Sequence, residues 1–327
     1  MLNNSQDSSN ARSALLYGVY LVQGVPLLLL NGLIVCAVLK HDPMRRRNTC
    51  LVIAVLAANE ALAGFGFICT GLHRSYITLY GLADTNVTKW WCLWQPGVIA
   101  LFPAQHLYGL VLSTISTDRL LAVWIPLRHG GFGRGYVYGL MSAAHSPVLF
   151  GFAYLALQYY STRHQTPDIS ALCLPTEYFP PGYYKLINLL LIATLLLSCF
   201  LYLLVWMKLQ LANKALPAGL TQVDKQRLRQ QRRLTVSLGI SCLFTVSMVI
   251  VPVLVQMALQ ALNLETVLLY YLPVRGVLAA ANMLMNFVIF SYRHRDIRLA
   301  VSYLLKCKEL TEAAIAHVTA TTLPGPK

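Results

Sequence analysis

Seven long apolar segments, near 14–39, 50–73, 93–118, 135–160, 183–208, 234–261 and 266–291, take up most of the chain. At about 1.5 Å of rise per residue, a helix over any one of them reaches across a hydrocarbon core of roughly 30 Å. Hydrophobic residues make up 57% of the 327 and charged residues only 12%, about half the charged share of a soluble domain. Such a surplus of apolar surface needs lipid to cover it. The predicted fold is an all-α membrane protein, a seven-transmembrane helix bundle. Pro26, Pro103, Pro147 and Pro252 fall inside segments and are expected to kink helices whose freed backbone groups neighbours then satisfy.

Read alone, a net charge of +14 would suit a nucleic-acid binder. Its distribution excludes nucleic acid as a partner, because the basic residues gather in alternate loops. Four (Lys40, Arg45, Arg46, Arg47) follow the first segment and three (Arg119, Arg128, Arg134) surround the loop after the third. Seven (Lys208, Lys214, Lys225, Arg227, Arg229, Arg232, Arg233) follow the fifth, and six (Arg293, Arg295, Arg298, Lys306, Lys308, Lys327) the seventh. That places 20 of the 26 Lys and Arg residues on one side, which the positive-inside rule makes cytoplasmic. An odd number of spans then puts the N-terminus outside.

This topology sorts the other features. Residues 1–13 are polar, without the apolar core of a signal peptide, and form a short outer tail; the first helix has to act as the insertion signal. Asn3 and Asn86 open candidate glycosylation sequons on the outer side. Cys36, Cys50, Cys69, Cys199 and Cys242 lie in or at the ends of apolar segments and read as buried packing residues. Cys92, at the start of the third helix, and Cys173, between the fourth and fifth, both face the oxidising side. Their pairing would tie the outer loop over the bundle. Trp90, Trp91 and Trp94 read as an interfacial aromatic belt. Past the seventh segment, Ile297, Ala300, Val301, Leu304 and Leu305 recur at helical spacing among Arg and Lys, the pattern of a short amphipathic eighth helix on the membrane surface. Cys307 at its end is a candidate for palmitoylation.

Asp118-Arg119 closes the long uncharged third segment, within LSTISTDRLLAVWIPLRH. At a membrane rim the two charges neutralise each other, and the Arg head reaches the interface. The DR-x-x-A-V-x-x-P-L-R pattern, running through Pro126, Leu127 and Arg128, resembles the end of the third helix and second inner loop of rhodopsin-like (class A) G-protein-coupled receptors. Within that class the chain is most similar to nematode serpentine chemoreceptors of the Srsx kind, over roughly residues 25–305. The resemblance implies a receptor that binds an extracellular chemical, a chemosensory small molecule or a small peptide, and drives nucleotide exchange on a heterotrimeric G protein, with arrestin as a further partner. It also implies residence in the plasma membrane, with the sensory cilium as the expected site.

The resemblance carries roles to individual positions. Asn31 in LNGLIV and Glu60 in LAANEALAG, where Asp is usual, match the family's intramembrane polar positions; with Asn282 and Asn286 they look like the cluster that binds sodium and relays activation. The alternative is interhelical hydrogen bonding with no ion. Asp118 and Arg119 would form the G-protein coupling switch. NFVIFSY stands where the family has Asn-Pro-x-x-Tyr: Asn286 fits, Phe287 replaces Pro, and Phe290 replaces Tyr. Tyr202 would keep its half of that latch. Phe244 resembles the activation-motif Phe, Met248 sits where Trp is common, and Pro252 comes two residues late. KQRLRQQRRL contains no acid, so Asp118 alone is expected to hold Arg119 at rest, with measurable basal coupling. The basic run 225–233 would offer a docking face for a G-protein helix. From Cys92 to Arg119 the distance is about 40 Å of helix, some two residues longer than the family norm.

Outward from Arg119, the residues expected to face a ligand cavity are Leu101, Phe102, Gln105 and His106. No Asp stands there, which argues against an amine ligand. Arg275, in the outer part of the seventh segment, would either anchor an anionic ligand or pair with Glu265 or another acid. The resulting plan is an outer tail (1–13), a receptor domain (14–291), a membrane-surface helix (292–308) and a cytoplasmic tail (309–327). A neuropeptide-type receptor is the near alternative. A transporter or channel is disfavoured, since there is no inverted repeat. No metal-ligand or hydrolase motif suggests an enzyme, and no cofactor beyond a sodium ion is expected. With no Lys between Lys225 and Lys306, a retinal Schiff base at the family's usual position is excluded.

Overall fold

The computed structural model describes residues 2–125, 131–164, 166–214, 239–293 and 295–306. Pro126, Leu127, Arg128, the run 225–233 and Cys307 lie outside the described residues. Seven helices are long and apolar enough to cross a membrane: Tyr17–Lys40, Asn48–Leu79, Pro96–Trp124, Gly135–Ser161, Pro181–Leu211, Gly239–Ala261 and Thr266–Ile289. They pack as one bundle, the seven-transmembrane architecture expected. Large apolar side chains such as Leu29, Leu149, Phe150, Leu157 and Leu243 stay exposed along the spans, which places them where lipid rather than protein is their neighbour.

The helices outrun the predicted apolar segments. The first helix starts at Leu2, ahead of its membrane-length part. The second continues to Leu79, six residues beyond the predicted end, because Arg74 finds protein partners at that depth and need not mark a boundary. At the start of the third span the structure corrects the reading of Cys92. This residue lies in a separate short helix, Lys89–Leu93, and the span begins at Pro96. Gln95 is extended, φ −64° and ψ 133°, as the residue before a proline prefers. The extra length between Cys92 and Arg119 is this break. The same span runs on to Trp124, so Arg119 lies about 7 Å short of the helix end.

In the sixth span, Val246–Ile250 form a π-turn, with the Val251 N–H bonded to the Val246 carbonyl five residues back. Pro252 follows and has no N–H to give to Met248, so the α-ladder is already broken there. The helix Arg295–Leu305 lies beyond the seventh span, with Ile297 and Ala300 buried and Asp296 paired with Arg47 at 2.5 Å. Of the cysteines read as packing residues, Cys36 is exposed on its helix.

The first two spans cross at close range through Gly24 and Gly64. A Cβ on Gly64 would stand 2.6 Å from the Leu28 backbone nitrogen and 2.8 Å from the Gly24 carbonyl oxygen. Backbone cannot move aside as a side-chain tip can, and small residues are what permit such an approach in lipid. Gly64→Val is expected to destabilise the bundle by about 1–3 kcal/mol. Gly32→Ala, with nothing within 4 Å of the added carbon, should leave the unfolding temperature in detergent unchanged or slightly raised; equal effects of the two would refute the close crossing.

Candidate functional site

Polar groups in the bundle interior converge on one hydroxyl. Tyr108, in the third span and 2% exposed, accepts hydrogen bonds from Asn282 Nδ2 at 2.6 Å and Asn286 Nδ2 at 2.9 Å. Asn286 Nδ2 also donates to Glu60 Oε1 at 2.8 Å. From the sixth span Ser241 donates to Asn286 Oδ1 at 2.5 Å, and Thr245 to Asn282 Oδ1 at 3.4 Å. Four spans are thus joined through buried oxygens and amides. Asn31 is equally buried, but it hydrogen-bonds Leu27 O of its own helix at 3.2 Å. The structure therefore brings Glu60, Asn282 and Asn286 together and replaces Asn31 by Tyr108, Ser241 and Thr245.

Toward the end of the bundle away from the disulfide, Asp118 is 4% exposed and lies 3.3 Å from the Arg119 guanidinium. Arg119 Nη2 also donates to Thr49 Oγ1 of the second span at 3.2 Å. The expectation that Asp118 alone holds Arg119 is corrected by this second partner, which ties Arg119 to a neighbouring helix. Tyr136 of the fourth span interacts with Asp118. Tyr202 is buried close to Ser116, within electrostatic reach of both charges, and Ser116 and Ser198 join the third and fifth spans at 2.7 Å. Phe244 is half-buried just before the π-turn, and Met248 lies within it. Phe290 belongs to the seventh helix, and its side chain lies outside the described residues.

At the opposite end, Cys92 and Cys173 are joined in a disulfide, with Cα atoms 5.4 Å apart. Thr88 caps the short helix that carries Cys92, accepting from Trp91 N at 3.2 Å. Asn86, exposed, pairs with Ser170 in a two-residue ribbon; Asn3 lies in the first helix, and its side chain is outside the described residues. Trp90, Trp94 and Tyr160 cluster edge to face. Arg74 clamps the loop from below, donating through Nε to Leu172 O at 3.0 Å and through Nη2 to Cys173 O at 2.9 Å. Beyond the disulfide, burial holds the Glu177 carboxyl above its usual pKa, against the opposing pull of a Ser170 backbone hydrogen bond and of the Arg74 charge.

Beneath this loop lies a cavity of about 130 Å³. Leu101, Phe102, Gln105, His106 and Arg275 all line it, with Tyr108 also contributing to its wall. Tyr178 and Phe179 of the loop close over it, and Phe179 packs on Phe102 with ring centroids 5.5 Å apart. Among the described residues Arg275 rests on no acid: it donates to Gln256 Oε1, and through Nη2 to Asn188 Oδ1 at 3.3 Å. Gln256 in turn donates to the Tyr184 hydroxyl at 2.6 Å. The side chain of Glu265 lies outside the described residues.

Residues 28–305 match the family model described as serpentine type 7TM GPCR chemoreceptor Srsx. The chain belongs to the Srsx family. No curated protein matches it closely. Membership makes this Srsx chain a chemosensory receptor of the seven-helix type and a multi-pass membrane protein, a receptor rather than an enzyme.

Three members of the polar network of the Srsx chain escape a reading of its sequence. Tyr108 sits in the apolar run HLYGLVL, where it looks like packing; Ser241 and Thr245 precede a π-turn that no local signal announces. Removing the Tyr108 hydroxyl takes the acceptor from Asn282 Nδ2 and leaves Asn286 Nδ2 with Glu60, at about 1–3 kcal/mol for an unsatisfied buried group. Tyr108→Phe should lower the unfolding temperature of the purified Srsx receptor clearly more than Tyr138→Phe, an exposed position. Equal shifts would show that the hydroxyl holds nothing together.

Proposed function

We propose that the chain is a plasma-membrane chemoreceptor, N-terminus outside, that converts binding of a small molecule in the disulfide-end cavity into activation of a heterotrimeric G protein at the Arg119 end. The observation that carries the reading is the double position of Tyr108, which lines the cavity and holds Asn282 and Asn286. A ligand that shifts the third span against the seventh acts on the same hydroxyl that binds the polar network, and Arg119 follows about 16 Å further along the same helix. Lys and Arg on the Arg119 side support the orientation. A cavity of about 130 Å³ favours a small molecule over a neuropeptide, and transport would need a path that the Tyr108 cluster closes.

In this reading Asp118 and Arg119 form the coupling switch, with Tyr202, Phe244, Met248, Asn286 and Phe290 around it. Activation swings the sixth span, and the run 225–233 meets the G protein; arrestin would bind the same face. Cys307 would be lipidated at the membrane surface, Asn3 and Asn86 would carry glycans outside, and a ciliated sensory cell is the expected setting. Glu60, Asn282 and Asn286 offer oxygens of the kind a hard cation prefers, and a bound sodium ion would hold the network in its resting arrangement.

Expressed with parallel G-protein reporters and screened against volatile and water-soluble compounds, the receptor should give agonist responses that Arg119→Ala abolishes at unchanged surface level. Responses that survive Arg119→Ala, or a ligand-driven ion flux in place of exchange, would overturn the assignment. Glu60→Gln should remove the sodium dependence of agonist potency; an unaltered salt response would leave the cluster a purely structural device.

A further inference from the structure

The cavity wall is positively charged. Among the described residues, its walls hold two arginines, Arg74 and Arg275, and no Asp or Glu. Neither arginine has a carboxylate within ion-pair distance among the described residues. Their partners are neutral: Gln256 and Asn188 for Arg275, and the carbonyls of Leu172 and Cys173 for Arg74. Such partners orient a guanidinium without discharging it. A cation kept in a largely apolar wall is expensive unless something else meets it.

We infer that the ligand is a small organic anion, a monocarboxylate on a compact apolar or aromatic body, held by Arg275. This deepens the reading of the chain as a small-molecule receptor and rests on it. The planar fork of a guanidinium matches a carboxylate in two parallel hydrogen bonds. Gln256, 1% exposed, and Asn188 set the plane of that fork from behind. Arg74 spends Nε and Nη2 on loop carbonyls, so it adds its field rather than its grip. The rest of the wall suits the apolar part: Phe67, Leu101, Phe102, Tyr178, Phe179 and Val249 surround the space. Size sets the class further: a cavity of about 150 Å³ holds benzene, so one of about 130 Å³ limits the apolar body to about six non-hydrogen atoms. Glu177, an acid of the loop within electrostatic reach of Arg74, is not among the lining residues.

The test uses the full chain in lipid nanodiscs, with calorimetry and thermal shift at neutral pH. The probes are benzoate, phenylacetate and 3-methylbutanoate, each beside its amide and its amine counterpart. At least one acid is expected to bind ten times or more tightly than its amide, with no binding of the amine. Arg275→Gln should weaken the acid at least tenfold, and Arg275→Lys should recover part of the loss, which separates lost charge from a misfolded wall. An amide or amine that binds as well as the acid, an acid indifferent to Arg275→Gln, or no acid binding at all would overturn the inference. In the same discs, ligand-independent nucleotide exchange on added G protein is measured with and without Arg119→Ala. Exchange that depends on Arg119 while every acid fails retires the anion and keeps the receptor; acid binding without such exchange does the reverse.

Discussion

Glu60 is 1% exposed in the interior of a bundle whose outer surface faces hydrocarbon, and most of the architecture is arranged to make that tolerable. An acidic group at mid-span costs about 2.5–3.5 kcal/mol to place in lipid, so its helix has to turn inward and find donors. Asn286 supplies one, Tyr108 holds Asn286 in place, and Asn282, Thr245 and Ser241 complete the arrangement. The relative rotation of the second, third, sixth and seventh spans follows from the need to keep these groups in contact. Leucine on leucine would leave that rotation nearly free, because lipid tails are as good a neighbour as another helix.

The two ends of the bundle differ in how they hold charge. At one end Arg119 shares Asp118 and Thr49 across two spans, both through side chains alone. At the other, Arg74 is fixed to backbone carbonyls beside a disulfide, and Arg275 to two amide side chains. The first arrangement suits a moving part. The second suits a rigid mouth, whose loop is anchored by a covalent bond and by a guanidinium beneath it.

Much of this was legible in the sequence, for physical reasons that differ by feature. Span number follows from apolar length, which lipid enforces. Arg275, on another helix, could be placed only by its depth, whereas Leu101, Phe102, Gln105 and His106 could be aimed at a common space because helical periodicity is rigid over a few turns. The partners of Arg275 could not, since Gln256 and Asn188 come from other helices, and no local pattern encodes a meeting across the bundle. Asn31 misled because burial and polarity do not reveal direction: its amide is satisfied one turn back in its own helix. The break before Pro96 did have a signal in Gln95-Pro96, hidden by the absence of any charge from Leu93 to Thr117.

The π-turn at Val246–Ile250 has a consequence for comparing this helix with others. One residue is accommodated there without lengthening the α-helical count, so everything before it is rotated by roughly 100° relative to an uninterrupted helix. Ser241 and Thr245 owe their inward aim to that offset. Any residue-by-residue alignment of the sixth span with an unbulged helix, anchored on Pro252, therefore assigns interior and lipid-facing positions correctly on one side of the turn and misplaces them by more than a quarter turn on the other.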